Sequence, residues 1–237
     1  MKILFIRHAD PDYSIDNLTP TGVVEVNSLH RYIDRYAIDH AYSSPMGRAY
    51  RTASVAMARD DIEVLPWLRE FNYRVDSSIM PPSDIIWDKY PDEWSKCDGL
   101  YDKDAWYNHP MCGDVKDKYL EVCNGLDELL AKHGYEREGM IYRAVSPNRE
   151  VIALFCHFGV QCILLSHLMN VSPIPLLHHT CALPSSVTTL VTEERREGIA
   201  SFRMLEFASL NHLVQDGIAP SFSARFCETY DDMSERH

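Results

Sequence analysis

Two short runs of apolar residues leave this chain little choice of architecture. Ile3-Leu4-Phe5-Ile6 and Val151-Ile152-Ala153-Leu154-Phe155 contain no polar residue, so each fits a strand covered on both faces, the habit of parallel sheets flanked by helices. Each run is followed closely by a histidine, in Arg7-His8-Ala9 and in Cys156-His157-Phe158-Gly159. Ligands of open α/β sheets bind in the crevice beyond the strands' carboxyl ends, so a guanidinium beside an imidazole there points to an anion site with a nucleophile or acid-base group inside it. Taken alone, Arg7-His8 reads equally as a surface pair after an edge strand.

The pattern between the two runs alternates. Thr19 is placed to cap a helix with Pro20 at its first position, and Val23, Val24, Val26, Leu29 and Ile33 recur at helical spacing. A strand over His40–Ser43, an Ala-rich helix from about Met46 to Ala58 and a strand over Ile62–Leu65 follow. Farther on, Val115 to His133 is amphipathic and ends at Gly134, while Met140–Arg143 and Val151–Phe155 flank the turn-like Ser146-Pro147-Asn148. Ser186–Thr192 and Ser201–Phe207 read as a closing antiparallel pair. This order predicts an α/β fold, a three-layer α/β/α sandwich on a mostly parallel central sheet, with residues 1–237 in one domain.

From Phe71 to about Gly113 the periodicity dissolves into Pro, Asp and aromatic residues. Too aromatic for a linker, this segment reads as an insertion over the sheet's edge, either a functional lid or a satellite core that only packs. Trp87, Trp94 and Trp106 in it are either a ligand platform or packing residues. The acidic tail, about 220–237, reads as loosely held.

A formal charge of −12 argues against nucleic acid as a partner, because affinity for phosphate backbones comes from clustered Lys and Arg. No apolar stretch approaches a membrane span, and Arg7 interrupts the amino-terminal run before any cleavage pattern appears. Seven cysteines without a close pair argue against a disulfide framework or structural zinc, and the expected location is the cytoplasm. His178-His179 with Cys181 offers a poor metal set, since adjacent histidines are badly placed to chelate one ion. No metal or cofactor is expected. The sequence sets no oligomeric state, and a homodimer is compatible with it.

Four motifs in order carry a resemblance. Arg7-His8-Ala9, Ser43-Ser44-Pro45-Met46-Gly47-Arg48-Ala49 with Thr52-Ala53, Leu68-Arg69-Glu70, and Cys156-His157-Phe158-Gly159, each after its strand, resemble the histidine phosphatase superfamily of phosphoglycerate mutase-like proteins. The resemblance implies a small phosphate ester as substrate, His8 as the nucleophile that becomes a phosphohistidine, Glu70 as the general acid, and Arg7, Arg48 and His157 around the phosphoryl oxygens. Guanidinium forks suit that role because the moving phosphoryl group spreads charge over three oxygens. Glu70 also reads as a surface glutamate or a partner for a pocket arginine, and Asp10, close to His8, is the alternative acid.

Departures from the family pattern qualify what the site does. Ala9 and Phe158 stand where glycines are usual, and Ser14 falls where many members carry a phosphate-binding asparagine. Tyr13, Phe158 and Tyr73 are the candidate substrate-lining residues. Mutases place arginines in the insertion to hold a second anionic group, whereas this one carries Arg74 among many aspartates. The expectation is therefore a metal-independent phosphatase acting on an ester with an apolar or aromatic leaving group, with a mutase or a non-catalytic phosphate-binding module as alternatives.

Overall fold

The computed structural model describes residues 1–223 and 229–232. Its strands are β1 (Lys2–Arg7), β2 (Pro11–Asp12), β3 (Asn17–Leu18), β4 (His40–Ser43), β5 (Glu63–Val64), β6 (Tyr135–Glu138), β7 (Ile141–Ala144), β8 (Val151–Cys156), β9 (Val187–Arg196) and β10 (Ile199–Ser209). Its helices are α1 (Pro20–Ile33), α2 (Gly47–Met57), α3 (Pro91–Trp94), α4 (Val115–Lys132), α5 (Phe158–Met169), α6 (Pro173–His179) and α7 (Asn211–Asp216). One eight-stranded sheet runs β5-β4-β8-β1-β9-β10-β7-β6, and β2 pairs with β3 in a separate hairpin. The half from β5 to β1 is parallel; β9, β10, β7 and β6 extend it antiparallel.

Period-two alternation in β1 separates two cores. Ile3 and Phe5 face a large cluster with α4, α5 and α6, while Leu4 and Ile6 face a smaller one with α1 and α2. Helices thus cover both faces, as two fully buried central strands require. Thr19 caps α1 by accepting the Gly22 N–H at 3.0 Å. Ala-rich α2 lies close to the sheet, with Ala49, Ala53 and Ala56 buried. The run at Ile62–Leu65 pairs only over Glu63–Val64, and β6, absent from the sequence reading, pairs with β7 through a turn at Gly139.

The insertion belongs to the larger core. Phe71, Val75, Met80, Ile86, Trp94, Leu100, Trp106 and Met111 bury side chains in the cluster that receives α4 and α5. Trp94 and Trp106 are therefore packing residues. The tail is held at its start, contrary to expectation: Ser221 N–H donates to the buried Glu25 at 3.0 Å, and the Ser223 hydroxyl donates to Asp10. The rest of that expectation falls largely outside the described residues.

Candidate active site

The parallel strands deliver the candidate residues to one edge. β1 ends in Arg7 and hands over to His8; β8, its parallel neighbour, hands over to His157; β4, beside β8, leads through Ser44 to Arg48 in the first turn of α2. The rings of His8 and His157 lie 5.0 Å apart, centre to centre. All four of Arg7, His8, Arg48 and His157 are buried. Glu70, beyond the short helical turn after β5, is half-buried at its surface while its carboxylate is desolvated.

Hydrogen bonding fixes the state of His8. Its Nδ1–H donates to the Ala9 carbonyl at 2.8 Å, so Nε2 carries the lone pair, and that atom takes a long 3.3 Å bond from Arg48 Nε. Burial first, then the Arg7 charge and, less strongly, that of Arg48 hold His8 well below its ordinary pKa, with the hydrogen bond to the Ala9 carbonyl opposing them. The imidazole is neutral with Nε2 available, the form a nucleophile needs.

His157 is set by Ser44, whose hydroxyl oxygen lies 2.8 Å from Nε2 while also accepting the Met46 N–H at 3.2 Å. With that hydroxyl donating to Nε2, the ring proton sits on Nδ1, a fully buried atom without a partner. Arg7 Nε is likewise buried and unpartnered, although Nη1 donates to the Ala182 carbonyl. A buried donor left unpaired costs about 1–3 kcal/mol. Both unpaired donors belong to residues at the carboxyl ends of the adjacent strands β1 and β8, the ends that also carry His8.

Glu70 accepts the Phe71 and Val160 N–H groups at 2.7 and 3.0 Å, both on Oε1. Oε2 remains to carry a proton. Burial raises its pKa, with Arg7 and the two N–H donors opposing. The second donor sits in the first turn of α5, so Gly159 lets this turn approach the acid: a Cβ there would lie 2.8 Å from Glu70 Oε1 and 2.7 Å from Trp87.

Other candidates fall elsewhere. Ser14, read from the sequence as a doubtful phosphate ligand, is exposed and bonds Asp12 through its N–H at 3.0 Å and its hydroxyl at 2.5 Å. Asp10 is a structural tie: its carboxylate accepts Thr19 at 2.6 Å and Ser223, and its N–H donates to Glu25 at 2.8 Å. The Ala9 methyl packs in the core under α1 and α2. Phe158 is buried with the Arg7 guanidinium 5.9 Å from its ring centre and Trp87 edge-on at 6.2 Å. Tyr13 lies exposed over Arg48, and Tyr73 packs on Phe71 in the insertion. His178 and His179 flank Trp94, with His178 Nδ1 donating to the Ile174 carbonyl at 3.0 Å.

Asp16 is the residue that sequence reasoning missed. It accepts Arg48 Nη1 at 2.6 Å and the Gly47 N–H, in the first turn of α2, at 2.7 Å. Nothing in an aspartate-rich turn singles it out, since its partners are more than 30 residues away and the hairpin's left-handed φ of 49° at Asp16 brings them together.

The α/β fold brings two buried histidines and two buried arginines to one sheet edge. Residues 3–204 match the family model of the histidine phosphatase superfamily (branch 1), and the chain belongs to that family. No curated protein matches the sequence. Among solved structures, it is similar to a phosphoserine phosphatase variant of Entamoeba histolytica in complex with phosphoserine (15% identity, TM-score 0.57, covering 90% of this chain and 98% of that one). It is similar also to a mycobacterial glucosyl-3-phosphoglycerate phosphatase (17% identity, TM-score 0.54, 88% and 99% covered). No helix among the described residues is long and apolar enough to cross a membrane.

Proposed function

We propose that the protein is a metal-independent phosphatase that hydrolyses a small phosphomonoester through a phosphohistidine on His8. The observation that carries this reading is the pair of unpaired buried donors, Arg7 Nε and His157 Nδ1, on the strand ends that also carry a His8 whose Nε2 is held unprotonated. In the first step Nε2 attacks phosphorus, the phosphorus–oxygen bond to the leaving group breaks, and Glu70 gives its proton to the departing oxygen. In the second, Glu70 takes a proton from water, whose oxygen attacks the phosphohistidine and returns His8. Arg7, Arg48 and His157 supply the positive charge and donors that a metal would otherwise provide.

Hydrolysis is favoured over mutase chemistry by the insertion. Its four lysines and arginines are all engaged elsewhere: Arg74 with Asp84, Lys96 with Asp92, Lys103 with Asp104, and buried Lys89 with the carbonyls of Met80 and Ser83. None is left to hold a second anionic group, and Trp87 and Phe158 offer an aromatic wall instead. The free cysteines suit a cytoplasmic enzyme.

The test is rapid acid quench with labelled aryl phosphate in excess chelator. Wild type releases phosphate and traps label on protein, and His8→Ala does neither. Turnover that vanishes in chelator and returns with magnesium, or equal labelling of both proteins, overturns the reading. No phosphate release from any ester leaves a binding module.

A further inference from the structure

The amino ends of the parallel strands, opposite the edge that carries His8, bring together three side chains that the catalytic site does not use. His40 opens β4, His133 follows the last turn of α4, and Glu150 immediately precedes β8. Their nearest ligand atoms all lie within 4.8 Å of one another. We infer that His40, His133 and Glu150 form a binding site for a borderline divalent metal ion, zinc being the representative, which fastens the end of α4 to the amino edge of the sheet.

Two of the three ligands are already positioned. His133 is buried, its Nδ1 lies 2.6 Å from Glu150 Oε2, and its Nε2 lies 2.8 Å from the Tyr42 hydroxyl. Glu150 is fixed through its backbone, with its N–H on Asn148 Oδ1 at 3.0 Å and its carbonyl accepting the Lys2 N–H at 2.8 Å. Asn148 reaches back to the His133 carbonyl at 2.7 Å, which ties the loop before β8 to the helix end. His40 is exposed, its ring centre 5.0 Å from that of His133, so it can turn toward the pair without disturbing packing.

Metal binding here replaces the hydrogen bond between His133 Nδ1 and Glu150 Oε2, both atoms turning lone pairs to the ion while the ring hydrogen sits on Nε2 and is donated to the Tyr42 oxygen. Tyr42 then holds the ring as an outer partner of a metal-bound histidine does. Tetrahedral zinc with ligands at about 2.0–2.1 Å needs donor atoms roughly 3.3 Å apart, so the site forms with side-chain movements on the order of 1 Å, and water completes the set. Two imidazoles with one carboxylate select zinc, nickel or copper over magnesium or calcium.

The surroundings favour a cation. Glu63 lies close enough to act on Tyr42, and the chain is strongly acidic. The opposing charges are the Met1 ammonium, which acts on Glu150, and Lys132, which pairs with Glu63 at 3.5 Å. Ser44 lies four residues beyond His40, about 13 Å along an extended strand. The ion therefore braces the scaffold and takes no part in turnover, and the inference stands whether or not the catalytic reading does.

The test uses chelator-stripped full-length protein titrated with zinc by calorimetry and with cobalt by visible absorption. One equivalent binds in the micromolar range or tighter, cobalt shows the intense bands of a low-coordinate site, and zinc raises the melting temperature. His40→Ala weakens binding by at least about ten-fold and removes the thermal shift. His8→Ala and His179→Ala bind as wild type does, which separates this site from the catalytic histidines and from the pair beside Trp94. Absence of saturable binding, binding unchanged in His40→Ala, or binding lost in His8→Ala overturns the assignment.

Discussion

Glu70 has one oxygen committed to two N–H groups and the other free, which separates binding from proton transfer. Glu70→Gln retains an oxygen for the Phe71 and Val160 donors but has no proton to give. General acids contribute roughly a hundred- to ten-thousand-fold, and an alkoxide needs the proton far more than a nitrophenolate does. The variant should slow the pre-steady-state burst by that order with alkyl phosphates and much less with nitrophenyl phosphate. Equal slowing with both would make Glu70 a positioning group. Ser44 offers a parallel case, because it acts through His157. Ser44→Ala lets the ring proton move to Nε2 and should lower kcat/KM by roughly ten-fold or more, on the scale of one lost transition-state donor. Ser44→Thr, which restores a hydroxyl, should recover part of the loss.

At the scale of elements, the β2–β3 hairpin and the start of α5 both press on the site. Asp16 sets a carboxylate against Arg48, the guanidinium that the proposed reaction uses to hold phosphate oxygens. Asp16→Asn keeps an acceptor for Gly47 but removes the charge. Because Asp16 is half-exposed and screened, the expected gain is modest: KM for a dianionic ester falls roughly three- to ten-fold with kcat little changed. A fall in kcat at constant KM would show instead that the carboxylate's work is to orient Arg48. At the start of α5, Gly159→Ala places a methyl against Trp87 and Glu70, both fixed by packing or hydrogen bonds. It should cost about 1–3 kcal/mol in denaturant unfolding and reduce kcat as well, because the acid is pushed aside.

Across the whole molecule, buried histidines set the acid limit of stability. Burial pushes His178 and His212 down from 6.5 to about 4, and holds His8 and His157 well below 6.5, with nearby arginine charges adding to the effect. Between those values the unfolded chain binds protons that the folded chain refuses. The stability from neutral burial is therefore complete above pH 6.5 and is lost as pH falls toward 4. Glu25 and Glu70, raised by burial, act in the opposite sense, their penalty relieved as pH drops through their folded values. Four histidines outweigh two glutamates in this window, so the melting temperature by calorimetry should fall steeply from pH 6.5 to 4. Replacing His212, whose Nε2 meets Ser185 at 3.0 Å, with Gln should flatten that slope. An unchanged slope in that variant would remove His212 from the account.

Local pattern fixes the layered α/β fold and brings several candidate site residues to one sheet edge. Runs such as Ile3–Ile6 and Val151–Phe155 can be satisfied only by burial on two faces, and the residues after a parallel strand must emerge at its carboxyl end. Arg7, His8 and His157 were legible for that local reason, whereas Arg48 and Glu70 stood out only through the resemblance to a family pattern. What tertiary structure decided is everything that depends on a side chain's distant partner. The proton on His8 is placed by the Ala9 carbonyl's direction, His157 is set by Ser44 across 113 residues, and Arg48 meets Asp16 rather than Ser14 because a left-handed residue turns the hairpin. Asp10 resembles an acid in sequence and is spent on holding the tail. Periodicity records which face of an element is buried; it carries no information about which polar atoms meet there, because those meetings depend on the packing of segments far apart in the chain.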